Sequence, residues 1–132
     1  MLENDYNFLT HQIISCAIEV HKVLGPGLME SVYDVCLCRE LASKQLFVER
    51  QKVLPVIYKG QTLYKEFIID QLVENEVILE LKSVEGILPV HEAQLVTYLK
   101  LSGKKLGLLI NFNVPILKEG IRRKINGNLK HK

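Results

Sequence analysis

The stretch VILELKS, Val77 to Ser83, decides how the chain is read. Side chains of an extended segment alternate between two faces, so Val77, Leu79 and Leu81 line one side while Ile78, Glu80 and Lys82 line the other. The segment is apolar enough for a buried strand, yet one face carries a carboxylate and an ammonium two positions apart. Upstream of it, Glu74-Asn75-Glu76 reads as a hairpin loop and residues 62–73 as a strand. Lys59-Gly60-Gln61 reads as a turn, and residues 47–58 as an earlier strand whose ladder is limited by Pro55.

If Val73 faces Val77 across the loop, Asp70 lies directly across from Glu80. Opposed residues have Cβ atoms about 4.5–5.5 Å apart, and like charges there repel. A divalent cation resolves the conflict, because Mg²⁺ binds through one or two carboxylates, keeps several waters and completes its shell with substrate phosphate oxygens. The pair therefore points to Mg²⁺ or Mn²⁺. Lys82 lies one same-face step beyond Glu80, where its ammonium would stabilise charge developing on a phosphate or assist the attacking water. The other reading of the same residues is an exposed edge-strand ion pair of Glu80 with Lys82, worth about 0–1 kcal/mol, with Asp70 a turn-proximal acid.

Downstream, Pro89 opens a helix that ends at about Ser102 and is closed by Gly103. In HEAQLVTYL, residues 91–99, His91, Gln94 and Tyr98 share one polar face while Leu95, Val96 and Leu99 serve the core. Packed near the end of strand 77–83, this helix would bring Gln94 towards Lys82 or a water, and Tyr98 towards a phosphate. The same face would also serve as a plain solvent face. The run LGLLINF, 106–112, reads as a fully buried strand in the middle of a covered sheet.

The first part of the chain is helical in period. Phe8, Leu9, Ile13, Ile14, Ala17, Ile18 and His21 recur every three or four residues until Gly25-Pro26-Gly27, and a second amphipathic helix spans about Glu30 to Gln45. The order is α-α-β-β-β-α-β, an α/β mixed sheet. After the last strand comes a short Pro- and Gly-punctuated tail, whose end is expected to fray.

With 132 residues, 48% hydrophobic and 24% charged, the chain has the composition of a folded protein and is long enough for one domain with a real core. No apolar run approaches the length needed to span a bilayer and no signal peptide opens the sequence, so no membrane partner and a cytoplasmic location are expected. Cys16, Cys36 and Cys38 are odd in number and lack CxxC spacing, which fits small buried hydrophobes rather than ligands. Residues 1–99 hold eight Lys and Arg against fourteen Asp and Glu, whereas residues 100–132 hold nine against one. Lys104, Lys105, Arg122, Arg123, Lys124 and the terminal Lys132 could follow a phosphate backbone, or simply be solvated.

Taken in order, Asp70, Glu80-x-Lys82 and Gln94-x-x-x-Tyr98 resemble the active-site signature of the PD-(D/E)XK nuclease superfamily in its RecB-like form. GLMESVY, 27–33, is similar to the pattern for which the small GxxExxY family is named. The resemblance runs from about Ile13 to Ile125, with further characteristic phrases in AIEVHKVLGPGLMESVY, PVHEAQLVTYLKLSG and LGLLINFNVP. It implies a restriction-endonuclease-like fold across residues 1–132 and divalent-metal-dependent hydrolysis of nucleic acid, DNA ahead of RNA. It also implies Asp70 and Glu80 as metal ligands, Lys82 as catalytic lysine, Glu30 as a helical acid supporting the metal or its water, and Gln94 with Tyr98 as an accessory pair. Ile69 stands where the superfamily name has proline, which bears on loop geometry and not on ligation.

His21 is expected to pack or cap, His91 to cap or join the site, and Tyr33 to pack with its hydroxyl satisfied. Gly25, Pro26 and Gly27 are expected to make the turn that positions Glu30. A second function stays open: a nucleic-acid-binding or protein-interaction module without turnover, in which a homodimer or protein partner supplies recognition surface.

Overall fold

The structure, a computed structural model, describes residues 1–131; Lys132 of the basic run lies outside the described residues. Helices α1 (Glu3–Leu24) and α2 (Glu30–Ser43) precede strands β1 (Val48–Tyr58), β2 (Gln61–Val73) and β3 (Val77–Lys82). Helix α3 (Pro89–Ser102), strand β4 (Leu106–Asn111), a 3-10 turn (Leu117–Gly120) and strand β5 (Ile121–Ile125) follow. The sheet runs β1-β2-β3-β4-β5. Only β3 and β4 are parallel, and α3 is the crossover that a parallel pair requires. Among the described residues no helix is long and apolar enough to cross a membrane.

The expected mixed sheet is present, with one strand more than the order α-α-β-β-β-α-β. The Pro- and Gly-punctuated tail, in which no strand was expected, contains β5, which pairs with β4 from Ile121↔Ile110 to Ile125↔Leu106. Only two of its five side chains are apolar, so its strand character comes from the ladder that β4 offers and not from its own pattern. Gly120 allows this approach, because a Cβ there would lie 2.2 Å from the Asn111 carbonyl oxygen.

The sheet is covered on both faces. Tyr33, Leu37, Ile13 and Ala17 of α1 and α2 pack with Val77, Leu79 and Leu81, while Leu95 and Leu99 of α3 pack with Ile78 and Leu109. β4 is buried throughout, as a strand between two layers must be. Gly107 brings α3 close, since a Cβ at that position would sit 2.7 Å from Leu95 Cδ1. α3 begins at Pro89, with His91 Nδ1 accepting from the Leu88 amide at 3.0 Å, and ends at Gly103 in the left-handed region, φ 73°. His91 is therefore a helix cap.

β3 pairs only with Gln71–Val73 of β2, so β1 and β2 continue past it as a two-stranded ribbon to the turn at Lys59 and Gly60, φ 50° and 78°. The ribbon's register shifts between Pro55 and Ile57, where proline has no amide to donate.

Tyr33 holds the interhelical turn. Its hydroxyl donates to the Gly25 carbonyl at 2.7 Å and accepts from the Leu28 amide at 3.1 Å. Its ring stacks on Phe112 with centroids 4.4 Å apart and planes 5° from parallel. The Gly25-Pro26-Gly27 turn, and with it Glu30 at the first position of α2, is thus fixed against the end of β4. His21 packs as expected, its Nε2 2.8 Å from the Val114 carbonyl oxygen. All three cysteines are free thiols; Cys16 is buried and Cys36 and Cys38 are half-buried.

Candidate active site

The β2–β3 ladder keeps the register expected from the loop through Val73↔Val77, Leu72↔Ile78 and Gln71↔Leu79. The next rung would be Asp70 opposite Glu80, and there backbone pairing stops. Side chains replace it: the Asp70 amide donates to Glu80 Oε2 at 2.8 Å, and the Leu81 amide donates to Asp70 Oδ2 at 2.7 Å. Each acid therefore caps an amide of the other strand, and the strands fork between them. On the other side of Asp70 the ladder is interrupted too. Arg50 pairs with Gln71 and Lys52 with Ile69, while Gln51 between them stands at φ 51°, a strained conformation for a non-glycine residue.

Glu80 is only 5% exposed. Burial, reinforced by the charge of Asp70, pushes its carboxyl from 4.5 up to about 8, against the opposing pull of the Asp70 amide and the Lys82 ammonium. Asp70 is also raised, mainly by burial, with the Leu81 amide and Lys82 opposing. Glu30 adds repulsion to both acids. The exposed Glu80–Lys82 ion pair does not exist: Glu80 is buried, and among the described residues no ion pair joins it to Lys82.

These residues fit a hard divalent cation. Asp70 and Glu80 each commit one oxygen to an amide, leaving Asp70 Oδ1 and Glu80 Oε1 without a hydrogen bond among the described residues. A bound cation would relieve the charge that burial makes costly, and Mg²⁺ needs no more than one or two carboxylates. Among the described residues no three His, Cys, Asp or Glu side chains converge on one point, so water and substrate oxygens would complete the shell.

The other expected site residues are placed unequally. Lys82 ends β3, paired with Asn111 of β4, and its charge is felt by both acids. Tyr98 is half-buried on α3, stacked on Phe67 at 4.7 Å; its hydroxyl is raised by burial and by the nearby charges of Glu80 and Asp70. Glu30 is exposed and reaches the acids by its field, without a hydrogen bond to either. Gln94 is exposed on α3 and, among the described residues, bonds neither the acids nor Lys82.

The basic run is not one track. Lys104 and Lys105 lie where β4 begins, at the end of the sheet away from Glu80 and Lys82, and Lys104 Nζ donates to Asn75 Oδ1 at 3.3 Å. The alternation of β5 then divides the rest. Lys124 pairs with Glu92 of α3 at 2.7 Å, Arg122 Nη1 donates to the Glu119 and Ile121 carbonyls, and Arg123 turns to α1, where Nη2 donates to Asn7 Oδ1 at 2.7 Å. The basic residues of β5 are thus distributed over two faces and engaged by local partners.

Several residues were not legible as parts of the site. Asn111, 1% exposed, donates to the Val84 carbonyl at 2.9 Å and accepts from the Val84 amide at 3.0 Å, forming a side-chain rung that holds the chain leaving Lys82. Asp34 of α2 is buried and accepts from Arg50 through Nε at 2.9 Å and through Nη2, and from Gln71 Nε2 at 2.7 Å. The signal for Asp34 was its position with Leu37 and Leu41 on the apolar face of its helix, where an acid needs a partner.

A family model described as the PD-(D/E)XK nuclease superfamily matches residues 7–124. Among solved structures, the crystal structure of SSO0001 is similar to this chain, with 20% identity and a TM-score of 0.49 over 76% of this chain and 50% of that one. The chain thus spans about half the length of that protein. No curated protein matches it.

Proposed function

Because the chain belongs to the PD-(D/E)XK nuclease superfamily, we propose that it is a divalent-metal-dependent hydrolase of nucleic acid phosphodiester bonds. The observation that carries this reading is the fork at half-buried Asp70 and buried Glu80, each with a carboxylate oxygen left over. They would hold Mg²⁺ or Mn²⁺, which when bound supplies Lewis-acid polarisation of the phosphate. Lys82, one same-face step beyond Glu80, would donate to a phosphate oxygen and stabilise negative charge as it develops. Glu30 would accept a hydrogen bond from the attacking water. Tyr98, beside the acids, would contact the phosphate, and Gln94 would join once substrate orders its exposed side chain.

Within the superfamily we place the chain in the GxxExxY family. The support is that the three named positions have distinct physical work in this chain. Gly27 takes φ 97°, Glu30 projects its charge at the acids, and Tyr33 ties the turn between them to Phe112.

The test is cleavage of single-stranded, double-stranded and branched DNA and of RNA in Mg²⁺ or Mn²⁺, with Asp70→Asn and Lys82→Ala as controls. Metal-dependent cleavage lost in both variants supports the reading; equal activity in the variants, or none with any substrate, rejects it. The second reading is a binding module without turnover, and oligonucleotide binding without cleavage would select it.

A further inference from the structure

We propose that Arg50 grips a substrate phosphate beside Asp70, with Asp34 and Gln71 as its positioning residues; this rests on the nuclease reading above. A cavity of about 300 Å³ opens between the start of α2 and the β1–β2 edge, lined in part by Glu30, Asp34, Arg50, Gln51 and Asp70. Three of these are carboxylates. Arg50 is the cation of that lining, and a polyanion entering the cavity needs one in addition to any metal charge.

The geometry leaves Arg50 able to serve. Nε and Nη2 both donate to Asp34 Oδ2, while Nη1 has no partner among the described residues and the side chain is 40% exposed. A guanidinium carries five donors in a rigid fork, so one edge can be anchored while another meets a phosphate oxygen. Lysine, with all its donors on one nitrogen, would have to leave Asp34 to do so. Asp34 is in turn held by Gln71, whose Nε2 reaches both its carboxylate and its carbonyl oxygen, at 2.7 and 2.9 Å. The rotamer freedom that a surface arginine would lose on binding is already restrained here. Gln51, next in sequence and left-handed, breaks the strand ladder opposite Asp70, so the guanidinium and the acid line the same opening.

The test is anisotropy of a labelled oligonucleotide in Ca²⁺, over a series of salt concentrations, with the full chain. Removing Arg50 alone would strand the buried Asp34, so the informative variant is Asp34→Asn/Arg50→Gln, in which neutral groups replace a neutral pair, checked by its melting curve. Because net charge is unchanged, a purely structural pair would leave the salt dependence as it was. The expected result is an affinity loss of about tenfold or more and a slope of log K against log salt reduced by about 0.7 for single strands or 0.9 for duplex. Arg50→Lys should keep much of the slope and lose affinity. A folded double variant with unchanged affinity and slope overturns the proposal, as does a wild-type chain that binds no oligonucleotide. An Arg50-dependent slope in a protein that never cleaves would uphold the phosphate contact and overturn the nuclease reading instead.

Discussion

Glu80→Gln should stabilise the metal-free protein, and increasingly so as pH rises. The native carboxyl titrates at about 8 against 4.5 for the ordinary group, so between these values the native state keeps a proton that the unfolded state has lost. Stability therefore falls with rising pH across that window. At about 1.4 kcal/mol per unit, the displacement corresponds to a loss on the order of 5 kcal/mol by pH 8.5. Glutamine stays neutral, and its carbonyl oxygen can still accept the Asp70 amide that Glu80 Oε2 now accepts. Urea unfolding in EDTA, read by circular dichroism at steps from about pH 4.5 to 8.5, should show the two proteins nearly equal at the acid end and diverging towards that value at the alkaline end. Mg²⁺ at 100 times its Kd should narrow the gap at the alkaline end by about half, since it adds about 2.7 kcal/mol to the wild type alone. A stability difference that stays flat across pH would refute the reasoning, because Glu80 would then be charged in the fold without penalty.

Tyr33→Phe removes the hydroxyl that bridges Gly25 and Leu28; it should cost about 1–3 kcal/mol in urea unfolding and raise amide exchange at residues 25–29 while leaving the Phe112 stack in place. Gly107→Ala places a methyl group 2.7 Å from Leu95 and should destabilise by about 1–3 kcal/mol; Leu95→Ala in the same chain should restore part of that loss, and an unchanged melting temperature in the single variant would contradict the close packing of α3 on β4.

Much of the architecture was legible because it is written in local patterns. The loop at 74–76 set the β2–β3 register, Pro89 and Gly103 bounded α3, and the run LGLLINF at 106–112 marked the doubly covered strand. β5 was missed because a strand with three basic side chains in five owes its conformation to β4, a partner distant in sequence. The same distance explains the site. That Asp70 and Glu80 meet follows from hairpin arithmetic, whereas the exchange of amides that forks the strands needs the coordinates. Asp34, Arg50 and Gln71 are 16 to 37 residues apart and come together only when α2 lies across β1 and β2. Basic residues adjacent in sequence on β5 point to opposite faces of the strand, so where each charge lies in space needs the coordinates.

The most direct measurement is a calorimetric titration of Mn²⁺ into the wild type, Asp70→Asn and Glu80→Gln at a pH near 8. A shared ion between the two acids requires saturable binding in the wild type, with proton release from Glu80, and loss of that binding in each variant. Binding that survives in both variants, or none in a folded wild type, would contradict it.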